Sequence, residues 1–120
     1  MLAARVQREL APGARIRVLV VDPSVAVRHQ ITCALEQDPW IDVIGAVAGG
    51  SLALERISRR DPDVVTLNLP EADGAGTANG METLRQVRSL HPKLRVIVYG
   101  AGIGRGTEAT FIALTQRSEE

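Results

Sequence analysis

A short apolar run, then a turn, then a helical stripe: this unit occurs four times along the chain, and the alternation constrains the fold more than any other feature. Residues 16–21 are apolar but for Arg17 and read as a central strand. Asp22-Pro23-Ser24 breaks that strand, and Val27, Ile31, Ala34 and Leu35 follow at helical spacing up to Asp38-Pro39. Residues 41–48 read as a second strand, and Gly49-Gly50-Ser51 opens a helix carrying Leu54 and Ile57. Residues 63–67 form a third run, followed by a polar, glycine-rich loop over 70–78. Asn79 and Glu82 are spaced as a capping box for a helix bearing Met81, Leu84, Val87 and Leu90, which His91-Pro92 stops. Residues 94–99 are a fourth strand, 100–106 a loop, and 107–117 a last helix. Strand and helix in alternation predict a parallel sheet with helices on both faces. Ligands of such sheets bind beyond the carboxyl ends of the strands, where this chain places Asp22, Asn68 and Gly100.

Composition agrees with a buried parallel sheet. The 120 residues suffice for one domain, and the aromatic side chains are only Trp40, Tyr99 and Phe111, so Val, Leu, Ile and Ala must fill the core. Fourteen basic residues balance 14 acidic ones, which argues against nucleic-acid binding through bulk positive charge. Arg56, Arg59 and Arg60 read as a solvated helix end. Cys33 is the single cysteine, so neither an internal disulfide nor a cysteine-based zinc site is expected, and it reads as a small buried hydrophobe. His29 reads as a residue of an exposed helix face, and His91 belongs to a helix stop. No apolar run reaches the roughly 20 residues of a membrane helix, and residues 1–15 lack a secretory apolar core, so a cytoplasmic protein is expected. Leu2, Val6 and Leu10 give the extension over 1–15 a short amphipathic helical pattern that Pro12-Gly13 ends, with a disordered tail as the alternative.

The run Ile16-Arg17-Val18-Leu19-Val20-Val21-Asp22-Pro23-Ser24, with Val27-Arg28 and Ile31, resembles the opening of bacterial response-regulator receiver domains, especially those of chemotaxis methylesterases. Asp38-Pro39, Ile41 to Gly45, Ala48-Gly49-Gly50, Ala53-Leu54 and Asp61 to Leu67 continue the resemblance, which extends over 16–117 and leaves 118–120 as a tail. It implies an α/β, flavodoxin-like (CheY-like) doubly wound parallel sheet. Four β–α units are expected in the order 2-1-3-4, with the fifth unit missing.

The resemblance also implies an acidic pair after the first strand that holds magnesium, an acceptor aspartate after the third, a Thr or Ser after the fourth and a Lys after the fifth. The chemistry needs an anionic carboxylate to attack phosphorus and a cation with several oxygen ligands to offset the charge being transferred. Here the pair is Asp22-Pro23, the acceptor position is Asn68, and the hydroxyl position is Gly100. The expectation is therefore a degenerate pocket with no catalytic residue, no cofactor and no tight metal site. Weak magnesium binding through Asp22 and the Asn68 oxygen is one reading of Asp22, and a helix cap beside Ser24 is the other. Glu71 and Asp73 are read as loop residues, not substitute acceptors.

The leading function is a phosphorylation-independent pseudo-receiver that binds a protein partner, with no membrane or nucleic-acid partner. Its expected surface comprises Val96, Val98, Tyr99 and Phe111, and an exposed fourth-strand edge would also allow a homodimer. Two alternatives stand beside it: an atypical working receiver, and nucleotide or phosphate binding at the glycine-rich 100–106 loop with Arg105 as counter-charge. No hydrolase nucleophile motif is present, so no esterase activity is expected of these residues. A further alternative is that these residues are part of a longer gene product.

Overall fold

The computed structural model describes residues 13–69 and 77–100. Four strands, β1 (Ile16–Val21), β2 (Ile41–Val47), β3 (Val64–Asn68) and β4 (Arg95–Tyr99), alternate with three helices, α1 (Val25–Glu36), α2 (Gly50–Arg60) and α3 (Thr77–Leu90). The strands are parallel in the order β2-β1-β3-β4, as the resemblance implied. The expected helix over 107–117 lies outside the described residues, as do residues 1–12 of the 1–15 extension, 70–76 of the 70–78 loop and 101–106 of the 100–106 loop; Thr77 and Ala78, expected in the loop, open α3.

Strand alternation builds two layers. Leu19 and Val21 of β1, with Val65 and Leu67 of β3, join Ala53, Ile57, Leu84 and Val87 from α2 and α3 in one apolar cluster. Val18 and Val20, one residue out of phase, are equally buried on the other side of β1. The β1–β2 register shifts between Val18 and Leu19, and Leu19 then faces Gly45. A side-chain carbon added at Gly45 would lie 3.2 Å from Leu19 Cδ1, so the glycine makes room for the larger residue across the pair.

α1 is amphipathic only in part. Val27, Ile31 and Leu35 are half-buried, Ala34 is exposed, and no residue of the helix is fully buried. Cys33, expected inside, is exposed. The reason is angular: two residues beyond Ile31 corresponds to about 200° around a helix, away from the inward stripe. α3 begins at Thr77, so Asn79 lies within its first turn and not at a cap.

The rim at the strands' N-terminal ends is held by charged side chains on backbone groups. Asp63, almost wholly buried, accepts from the Arg17 N–H at 2.8 Å, and its own N–H donates to the Arg17 carbonyl at 2.8 Å. The Arg17 guanidinium reaches the Arg60 carbonyl. Arg88, buried in the last turn of α3, donates to the carbonyls of Leu94, at 2.7 Å, and Pro92. These contacts satisfy backbone acceptors where helices end and strands begin.

Candidate functional site

The opposite rim carries the residues singled out in the sequence. Asp22 follows β1, is 2% exposed, and continues the ladder by donating its N–H to the Val47 carbonyl at 3.0 Å. Its Oδ1 accepts from the Ser24 N–H at 2.8 Å. Ser24, in extended conformation, is itself the cap of α1, its hydroxyl accepting from the Val27 N–H at 3.2 Å. Asp22 therefore supports the cap without being it. Arg28, one turn into α1, donates to the Asp22 carbonyl at 2.7 Å and fixes the turn from the other side.

The second carboxylate oxygen is also taken. Tyr99, the last residue of β4, donates its hydroxyl to Asp22 Oδ2 at 2.5 Å. The tyrosine's titration is raised above the ordinary phenol range, chiefly because burial disfavours the phenolate, and further because Asp22 accepts its proton and repels its negative form. Sequence reasoning missed this role. Tyr99 is 77 residues from Asp22, and only the sheet order, which puts β4 two strands from β1, lets the long side chain cross the rim.

Asn68 pairs with Tyr99 in the β3–β4 register, and Gly100 comes next. Gly100 has φ +127°, and a side-chain carbon built there would lie 2.6 Å from the Leu69 carbonyl oxygen and 3.0 Å from Asn68 Nδ2. Backbone occupies the space where a hydroxyl-bearing side chain would project. Asp22, Asn68 and Gly100 thus do converge at one rim. Pro23 and Asn68 also line an adjoining open pocket of about 520 Å³ formed with Gly49, Leu52, Gly80 and Thr83.

The remaining expected surface is only partly as foreseen. Val96 and Val98 are half-buried against the core cluster, because they share the face covered by α2 and α3. Ile97, on the other face, is the exposed apolar residue of β4 at 57%. Phe111 lies outside the described residues. β4 is the outermost described strand on its side of the sheet.

The model of the response regulator receiver domain matches residues 18–115. The chain belongs to the receiver domain family. Among similar proteins of the family, the protein-glutamate methylesterase/protein-glutamine glutaminase of Trichodesmium erythraeum is 39% identical over 103 residues, covering 84% of this chain and 28% of that protein. A second protein of that name from Koribacter versatilis is 44% identical over 101 residues, covering 82% and 26%. The chain thus spans about a quarter of the length of the curated relatives it matches. The response regulator domain of Thermotoga maritima CheB superposes with a TM-score of 0.69 at 29% identity, over 87% of this chain and 73% of that one. The receiver domain of Salmonella enterica RcsB, at 20% identity and a TM-score of 0.70, shows the same fold.

A receiver's magnesium fits this rim poorly. The ion takes octahedral oxygen ligands and favours carboxylates. At the matching positions among the described residues, Asp22 is the carboxylate and both of its oxygens accept hydrogen bonds within the protein, Pro23 supplies no oxygen from its side chain, and Asn68 offers at most a neutral one.

The Tyr99–Asp22 bond has a measurable signature. A raised phenol titration means the folded state holds the proton after the unfolded chain, near its ordinary value of about 10, has lost it. Its contribution to stability is therefore full below that value and declines as pH rises through and beyond it. Tyr99→Phe is expected to remove this alkaline decline and to lower stability at neutral pH by about 1 kcal/mol. Urea unfolding at a series of pH values measures both, and the single tyrosine makes the native tyrosinate absorbance titration unambiguous.

Proposed function

We propose that this chain is a phosphorylation-independent pseudo-receiver that serves as a protein-interaction module in two-component signalling, working in the cytoplasm without enzymatic activity of its own. The observation that carries the reading is the Tyr99 hydroxyl on Asp22: the carboxylate that follows β1 is engaged by the protein itself. Around it, an amide stands at the acceptor position and a glycine with no room for a side chain stands at the hydroxyl position. An amide nitrogen or oxygen makes no stable acyl phosphate, and without a second carboxylate the transferring charge has no cation to offset it. The partner is a protein: the place of β4 as the outermost described strand supports an edge contact, including one with a second copy, and the exposed Ile97 offers an apolar contact on the adjoining face.

The test is incubation of the protein with acetyl phosphate and magnesium, followed by intact-mass measurement, with amide spectra recorded in parallel under beryllofluoride. No mass gain and unmoved amide resonances are expected. A stoichiometric phosphoryl adduct on any aspartate would overturn the reading. The methylesterase activity in the relatives' names is not proposed for these residues, which carry no hydrolase nucleophile motif.

A further inference from the structure

We propose that residues 1–12 dock as an amphipathic helix on the apolar base of the α1 side of the sheet, with Leu2, Val6 and Leu10 packed against Ile16 and Trp40. Ile16 shares a face of β1 with the buried Val18 and Val20, yet is 41% exposed, and Trp40, between α1 and β2, is 58% exposed. Tryptophan is largely buried in most folds. Here its backbone is pinned on both sides: the Trp40 N–H donates to Asp38 Oδ1 at 2.9 Å, and its carbonyl accepts from the Ile16 N–H at 2.7 Å. Two exposed apolar side chains therefore stand on one braced junction. α1 does not close the layer over them. It packs on β2 and β1 without burying any residue fully, and Leu35, in its last turn, is half-buried.

The chain itself brings an occupant to this base. Twelve residues precede the described structure, and they join it at Gly13, three residues before Ile16. Gly13 has φ +79°, and a side-chain carbon built there would meet nothing within 4 Å, so conformation and not space calls for glycine. A left-handed glycine is the common end of a helix that precedes it. Gly13 to Arg15 then form a connection of ordinary length between a helix and a strand.

Leu2, Val6 and Leu10 recur at every fourth residue, with Arg5, Gln7, Arg8 and Glu9 among them, so the apolar stripe is one-sided. From Leu2 to Leu10 it spans about 12 Å of helix. A helix this short is marginal alone in water and needs an apolar surface to hold it, and Ile16 and Trp40 supply one within reach. The contact lies at the opposite end of β1 from Asp22 and does not depend on how that rim is read.

Trp40 is the single tryptophan, so its fluorescence in the full chain reports this surface alone. Acrylamide quenching is compared between the unmodified protein, Leu10→Asp on the stripe, and Arg8→Asp on the opposite side of the helix. Leu10→Asp is expected to shift the emission to the red and to raise the quenching constant roughly twofold, as uncovering an indole of which half was shielded would do. Arg8→Asp is expected to leave both unchanged. No change in Leu10→Asp, or equal changes in the two variants, would overturn the docking. Shielding that grows with protein concentration would assign the surface to a second copy and overturn it as well. Far-ultraviolet circular dichroism checks that each variant is folded, and Val6→Asp replaces Leu10→Asp if that one is not.

Discussion

Replacing Gly100 with serine, the residue type that receivers place after their fourth strand, is expected to destabilise the domain by about 2–4 kcal/mol and to leave it unphosphorylated. Two costs combine. The backbone at Gly100 has φ +127°, a region that side-chain-bearing residues rarely enter. The new Cβ would also meet the Leu69 carbonyl oxygen at 2.6 Å, and that carbonyl belongs to a backbone segment held by the Leu69 N–H bond to the Tyr99 carbonyl at 2.7 Å. Neither side can yield without disturbing the junction of β3 and β4. Urea unfolding of the purified variant gives the stability change. A serine variant as stable as the parent would show that the junction relaxes freely. The backbone at the junction of β3 and β4 follows a path that a hydroxyl-bearing residue does not fit.

Leu19→Ala is expected to cost about 3–4 kcal/mol, within the range for emptying a fully buried leucine site. Leu19 has no exposed surface, belongs to the main apolar cluster, and fits against Gly45 across the β1–β2 register shift. Collapse is limited on that side, because glycine has no side chain with which to fill the cavity. Denaturant unfolding measures the loss. A change under about 1 kcal/mol would show that the cluster repacks around the gap, as volume-tolerant cores do.

The architecture was legible because its signal is repeated. Each apolar run fell on a strand, and two-residue alternation along β1 separates Val18 and Val20 from Leu19 and Val21 as a sheet covered on both sides requires. The rim was legible residue by residue at Asp22, Asn68 and Gly100, since strand ends are marked by Asp-Pro and by glycine. Three matters were not. The Tyr99–Asp22 bond joins residues whose proximity depends on strand order and side-chain reach, and periodicity encodes neither. Cys33 was placed inside by residue type, whereas its phase against Val27, Ile31 and Leu35 turns it outward beside His29. Val96 and Val98 looked like partner residues because apolar side chains on an edge strand attract that reading. α2 and α3 in fact cover their face, leaving Ile97 exposed.

The clasp of Asp63, Arg17 and Arg88 bears on how such a domain changes over generations. Its charged anchors grip the backbone at the end of the sheet remote from Asp22, so this end is held by contacts separate from those at the other. Substitutions that leave this grip intact are expected to spare the sheet's far end, so that one edge of the scaffold holds its shape while the residues opposite vary.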